Sequence, residues 1–202
     1  MRLNWRLGGV ISLVFLLSAC ASTVTTQVVA FHDNGAFPGA RTYAFKRTPE
    51  QENNLEQKTY EGWVRDRLAG DGFQERATRD AQYLVTLAYG MQSSVVRVQE
   101  PAFDPMFGPG WYGPWGWRYN PWMWGPPPMY VERDWPVYMK WLQLRFLDRA
   151  SGREVYLVSA RTEDGGNSLV GVMPYLIRAA LAKLPFPSGQ QSSVEEKVTP
   201  SK

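Results

Sequence analysis

One thiol, one imidazole and a few closely spaced carboxylates are the reactive groups on which any chemistry of this 202-residue chain must rest. Cys20 is its only cysteine and His32 its only histidine, so a zinc site and a disulfide both lack the ligands or partners they need. His32 stands beside Asp33 at the expected end of a strand, where a plain hydrogen-bonded polar residue is the simpler reading. Serine chemistry has no local support: there is no Gly-x-Ser-x-Gly turn, and a histidine-dependent triad would have to use His32. Two carboxylate pairs, Glu50 with Glu52 and Glu132 with Asp134, could serve hydrolysis. They fall in polar connecting stretches where solvated charge is the ordinary state. Gly165-Gly166-Asn167 opens a helix but lacks the lysine or third glycine of a phosphate cradle. These residues name no reaction, no metal site and no cofactor.

The context of Cys20 is more informative. Arg2 and Arg6 precede an apolar run from Leu7 to Leu17, which matches the charged start and short apolar centre of a secretory signal peptide over residues 1–19. The run is too short to cross a bilayer core of roughly 30 Å as a helix. Leu17-Ser18-Ala19-Cys20 resembles the lipobox of bacterial lipoproteins. That resemblance implies a thiol alkylated by diacylglycerol, cleavage before Cys20 and acylation of the new amine. Two or more acyl chains make anchoring stable where one does not, so the bilayer is the first expected partner. Ala21 stands where the lipoprotein class uses Asp for inner-membrane retention, which points to the outer membrane, facing the periplasm.

Composition narrows the remaining classes. Of the 22 Lys and Arg, two lie in the leader, so residues 20–202 hold 20 basic against 19 acidic residues. A net charge of +1 does not suit a nucleic-acid partner, whatever the whole-chain pI near 9.0 suggests. The unusual segment is 101–130, where eight prolines, five glycines and ten aromatics surround only Asp104 and Arg118. Prolines and glycines at that density exclude regular structure, so an inserted loop of polyproline and turn character is expected. Its Trp111, Tyr112, Trp115, Trp117, Trp122 and Trp124 offer rigid contact area for a lid on the fold, a lipid interface, a saccharide or an envelope protein partner. Met106, Met123 and Met129 have the thioethers that Cu(I) prefers but no adjacent histidine or cysteine.

The elements that must position these groups follow from periodicity. Val24–Phe31 and Arg41–Lys46 read as strands. Asn54 caps a helix over 54–69 with Leu55, Tyr60, Trp63, Val64 and Leu68 on one face, and Gly70-Asp71-Gly72 ends it. Tyr83–Tyr89 alternates as a central strand, and Val95–Val98 either continues or re-enters the sheet. Trp135–Asp148 and Val155–Arg161 form a hairpin around Asp148–Arg153. A second helix begins near Asn167 or Ser168, with Pro174 in its first turns or bending it, and Pro185 ends it. The polar residues 188–202 are expected to be disordered. This order predicts an α+β two-layer sandwich, a mostly antiparallel sheet with two helices on one face.

Arg41-Thr42-Tyr43-Ala44-Phe45, Asp80-Ala81-Gln82-Tyr83-Leu84-Val85 before Tyr89-Gly90, the aromatic insertion, Asp148–Gly152, Met173-Pro174-Tyr175-Leu176 and Leu184–Gly189 together resemble the DUF4136 family. The resemblance spans about residues 24–189 and implies one envelope-lipoprotein domain over 20–187 without assigned catalytic residues. The expectation is a non-enzymatic, membrane-anchored binding or structural module. An envelope hydrolase or transferase using a carboxylate pair is the alternative.

Overall fold

The computed structural model describes residues 23–33, 36–101 and 130–198. Residues 1–19, expected as a signal peptide, Cys20, and Trp111, Tyr112, Trp115, Trp117, Trp122 and Trp124 lie outside that range. Seven strands form one open sheet: β1 Thr23–His32, β2 Thr42–Phe45, β3 Gln74–Glu75, β4 Tyr83–Pro101, β5 Tyr130–Asp148, β6 Glu154–Asp164 and β7 Gln191–Lys197, in the order β3-β2-β4-β5-β6-β1-β7. Three helices, α1 Pro49–Glu52, α2 Leu55–Gly70 and α3 Met173–Ala180, complete a mixed α+β fold. The chain divides into two units: Met1–Gly90, Lys140–Thr162 and Ser168–Lys202 form one, Met91–Met139 and Glu163–Asn167 the other.

In the first unit, period-two alternation sends the large side chains to one face. Val28 and Ala30 of β1, Tyr83, Val85 and Leu87 of β4, Leu142, Leu144 and Phe146 of β5, and Tyr156, Val158 and Ala160 of β6 share a single buried cluster with side chains of α2 and α3. β1 pairs antiparallel with β6 and β7, whereas β2 runs parallel to β4 and β3. Parallel neighbours need a crossover, and α1, α2 and β3 supply it between β2 and β4.

Helix α2 has the expected N-cap, with Gln57 N–H donating to Asn54 Oδ1 at 3.1 Å. Gly72, with φ +82°, turns the chain beyond its C-terminus. Its buried stripe differs from the expected one. Leu55 is 78% exposed, and the stripe runs through Gln57, Tyr60, Glu61, Val64 and Leu68. The second expected helix is shorter than its apolar spacing predicts, because Leu169–Val172 closes as a turn before Met173. Pro174 sits in the first turn, where its missing N–H costs nothing. The expectation of two helices also omits the single turn α1, held by Thr48 N–H donating to Gln51 Oε1 at 3.0 Å.

The expected disorder beyond residue 188 is corrected over Gln191–Lys197, which is strand β7. Its registry, Thr23 opposite Lys197 through Val29 opposite Gln191, satisfies the outer edge of β1. The Arg178 side chain of α3 holds Glu196 at 2.7 Å, and Val194 packs against the core. A polar edge strand needs no continuous apolar face, which is why its sequence reads like a tail.

In the second unit β4 and β5 form a two-stranded ribbon. Ser94 Oγ donates to Val137 O at 3.4 Å and Arg97 pairs with Asp134 at 3.2 Å. The β5 number falls as the β4 number rises, so the strands are antiparallel. β4 therefore continues through Val95–Val98, and Pro101 and Tyr130, taken as the ends of the insertion, are strand residues.

Among the described residues Gly90 is the one glycine whose missing side chain a neighbour requires: a Cβ there would stand 2.9 Å from Trp141 Cζ2. Gly90→Ala is expected to lower stability by about 1–2 kcal/mol, read as a lower urea midpoint. An unchanged midpoint would mean the Trp141 ring is free to move aside.

Candidate functional site

The sheet of the first unit has two chemically different ends. At one, β1 begins at Thr23, three residues after Cys20. Strand registry shows what shares that end. Gln27 lies opposite Arg161, with Arg161 Nε donating to Gln27 Oε1 at 3.0 Å. Gln143 Nε2 donates to Ser159 Oγ at 3.2 Å, which makes Trp141 the β5 neighbour of Arg161. Trp141 in turn covers Gly90. One row across the sheet, Gln27-Arg161-Trp141-Gly90, thus marks the level at which β4 leaves this unit and β5 enters it. Gly90 and Lys140, where β4 leaves and β5 enters this unit, therefore lie toward the end of the sheet at which β1 starts.

The other end carries a cleft of about 350 Å³ lined by Asp33, Gln82, Tyr83, Asp148, Ser151 and Arg153 among others. The β5–β6 turn builds it: Asp148 Oδ1 accepts from Ser151 N–H at 2.8 Å and from Ser151 Oγ at 2.7 Å, and Oδ2 accepts from Gln82 Nε2 at 2.8 Å. These bonds, the Ser151 hydroxyl foremost, hold the Asp148 carboxyl below the usual aspartate range. Asp148 is therefore an ionised turn-former and a weak base. Asp33 is engaged by Arg153 Nη2 at 3.0 Å.

His32 closes the same end as a hydrogen-bonded residue. Its Nδ1 is 2.8 Å from Asp33 O and its Nε2 2.9 Å from Phe186 O. A neutral ring donates to one of these carbonyls and only a doubly protonated ring to both. The ring stacks on Tyr156 at 5.9 Å between centroids. Burial pushes the Tyr156 hydroxyl up to about 12, against the opposing effect of the Phe186 N–H bonded to it at 3.2 Å. Ser188 Oγ accepts from His32 N–H and donates to His32 O, each at 3.1 Å. The imidazole thus fastens the approach to β7 onto the end of β1.

The carboxylate pairs do not converge in a cleft. Glu50 and Glu52 lie in the exposed turn α1, with Glu52 3.6 Å from Arg47. Glu132 and Asp134 both face Arg97, on the ribbon. Among the described residues no group of three or more His, Cys, Asp or Glu could hold a metal ion. No helix there is long and apolar enough to cross a membrane.

Sequence reasoning missed one buried charge network. Glu61 is 1% exposed and receives Arg47 through both Nε and Nη2, while Gln57 Nε2 donates to Glu61 Oε1 at 2.8 Å. Gln57 and Glu61 are four residues apart, so they share the inner stripe of α2 and fasten it to the strand end after β2. The available signal was that spacing, two polar residues in register with Val64 and Leu68. Every polar atom of Glu61 is partnered, which is what makes its burial tolerable.

Glu61→Gln should cost about 2–4 kcal/mol in denaturant unfolding, because it strips the partner from a mostly buried guanidinium. Glu52→Gln, at the exposed end of the same arginine, should stay within about 0.5 kcal/mol. Equal effects would contradict the network. For Asp148, a folded value below the unfolded one means its contribution is full above the ordinary aspartate range and is lost as pH falls through the depressed folded value. In acid titrations between about pH 4 and 2, Asp148→Asn should flatten the wild-type decline. A variant curve parallel to wild type would assign the acid sensitivity elsewhere.

Similar proteins bear on fold more than on chemistry. A PDZ domain protein from Parabacteroides distasonis matches with a TM-score of 0.53 at 12% identity, covering 94% of this chain and 42% of that one, so this chain spans under half of its length. PelC from Paraburkholderia phytofirmans, a dodecamer, matches in two crystal forms. One gives a TM-score of 0.41 at 12% identity over 82% of this chain and 99% of that one. The other gives 0.38 at 15% over 77% and 96%. No curated protein matches the sequence. The family model of a domain of unknown function, DUF4136, matches residues 27–186, and the chain belongs to that family.

Proposed function

We propose that this DUF4136 protein is a lipid-anchored protein of the cell envelope, at the outer membrane and facing the periplasm, that binds rather than catalyses. Cys20 carries the acyl chains. The domain is a two-layer sandwich, with the helices on the buried face of the sheet. The aromatic set Trp111, Tyr112, Trp115, Trp117, Trp122 and Trp124 makes the interaction surface, toward the bilayer itself or toward an envelope protein or saccharide close to it.

The observation that carries this reading is the direction of β1, whose Thr23 end points the same way as the Gly90 and Trp141 boundary where β4 leaves and β5 enters this unit. Three peptide steps from Cys20 to Thr23 reach about 10 Å when extended. A domain held so closely turns that end to the lipid. β4 leaves this unit and β5 enters it toward the same end, on the way to and from the aromatic segment. The cleft at the far end faces away from the membrane. The low basicity of Asp148 and the engagement of Asp33, Glu52, Glu132 and Asp134 by arginines support binding over acid–base chemistry.

The full chain expressed with its leader in a Gram-negative host should take up an alkyne-tagged palmitate and remain in the membrane fraction. Cys20→Ser should abolish the label and release the protein to the soluble fraction. Label retained by Cys20→Ser, or none on the wild type, would overturn the anchor.

A further inference from the structure

The ribbon of Met91–Pro101 and Tyr130–Met139 carries exposed apolar side chains on both faces, beside paired charges. Alternation along the strands and the cross-strand partners assign the faces. Arg97, Glu132 and Asp134 share one with Met91, Val95 and Tyr130, which are 42%, 63% and 59% exposed. Glu100, Arg133 and Trp135 share the other with Val96, Val98 and Val131, and these four apolar side chains, Trp135 included, are 40–50% exposed. Isolated exposed apolar residues need no explanation, but seven on one two-stranded element do.

The charges of the ribbon are spent on each other. Arg97 lies 3.2 Å from Asp134 and 3.9 Å from Glu132, and Arg133 lies 3.4 Å from Glu100. The Trp135 indole N–H, which a buried tryptophan must satisfy, donates to Glu100 Oε1 at 3.2 Å. Pairing lowers, without removing, the cost of taking these charges out of bulk water, and the hydrated headgroup layer leaves them their water. A flat protein partner would cover one apolar face and leave the other wet, whereas lipid surrounds both.

We propose that this ribbon is a lipid-interface element, lying in the headgroup layer with both faces against lipid. The proposal rests on the membrane-anchored reading above and extends it from the aromatic segment to described, regular structure. The ribbon does not span. A two-stranded ribbon has two open edges, and each unpaired N–H or C=O would cost several kcal/mol in hydrocarbon, a penalty the hydrated headgroup layer removes. Trp135 and Tyr130 are of the residue types enriched at that depth.

The mature Cys20→Ser chain has no thiol, so single cysteines can report position. Val131→Cys and Val95→Cys, one on each face, and Arg145→Cys, near the far end of the sheet, are labelled with an environment-sensitive NBD fluorophore and mixed with vesicles of phosphatidylethanolamine and a minority of phosphatidylglycerol. Both ribbon labels should shift to the blue and brighten severalfold, and the Arg145→Cys label should not. Nitroxide lipids labelled near the headgroup should quench the ribbon labels more than those labelled at the chain end. Val96→Glu with Val131→Glu, both at exposed positions, should lower vesicle binding about tenfold with unchanged circular dichroism.

Vesicle binding with silent ribbon labels would overturn the ribbon proposal and leave the anchored reading standing. A shift on one face only, or one that grows with protein concentration before vesicles are added, would assign the surface to a protein contact and also overturn it. Absence of vesicle binding would overturn it as well, while palmitate labelling of Cys20 decides the anchor separately.

Discussion

Antiparallel pairing of β1 with β6 on one side and β7 on the other is the constraint on which the rest of the molecule depends. β1 is the first strand in sequence and the penultimate one in the sheet. Its registry, Gln27 opposite Arg161 through His32 opposite Tyr156, fixes its direction against the central hairpin. Under the proposed anchor before Thr23, that direction sets which end of the sheet would turn toward the lipid. The same direction sets the β5–β6 turn, with its polar cleft, at the end of the sheet opposite to Thr23. A parallel pairing would have reversed these relations.

The core follows from the same sheet. Alternation loads one face with aliphatic and aromatic side chains, and the aromatic end of that core, where Phe37 meets Phe73, Tyr83, Phe146 and Tyr156 at 5.1–5.5 Å, underlies the cleft. Helix α2 is weakly amphipathic by side-chain hydrophobicity, because Gln57 and Glu61 occupy its inner stripe. Arg47 makes that burial tolerable, and Arg67 Nη2, bonded to Leu181 O at 2.9 Å, ties α2 to the end of α3. Local polar chemistry thus supplies the geometry that an apolar stripe alone would leave loose.

Much of this was legible in the sequence, and the exceptions have physical causes. Asn54 and Gly72 bounded α2 correctly because caps act locally. Alternation found β1, β2 and β4 to β6. It could not find β7, whose residues face solvent and whose place comes from hydrogen bonding to β1. It misplaced Leu55 because periodicity cannot tell an exposed leucine at a helix start from a core one, and it passed over Glu61 because a buried carboxylate is visible only once Arg47 is beside it. The candidate site was legible as an address at Cys20 and as a composition at Trp111 to Trp124, both outside the described residues. What the sequence could not show is strand direction, a long-range property that no window of it contains.

Strand direction, the short tether and the self-paired ribbon are what support the proposed reading of a domain held low on a membrane. Neutron reflectometry of the acylated protein on a supported bilayer tests this most directly. The account predicts protein density continuous with the headgroup layer, beginning within about 10 Å of it. A water gap clearly wider than that between headgroups and protein would contradict it.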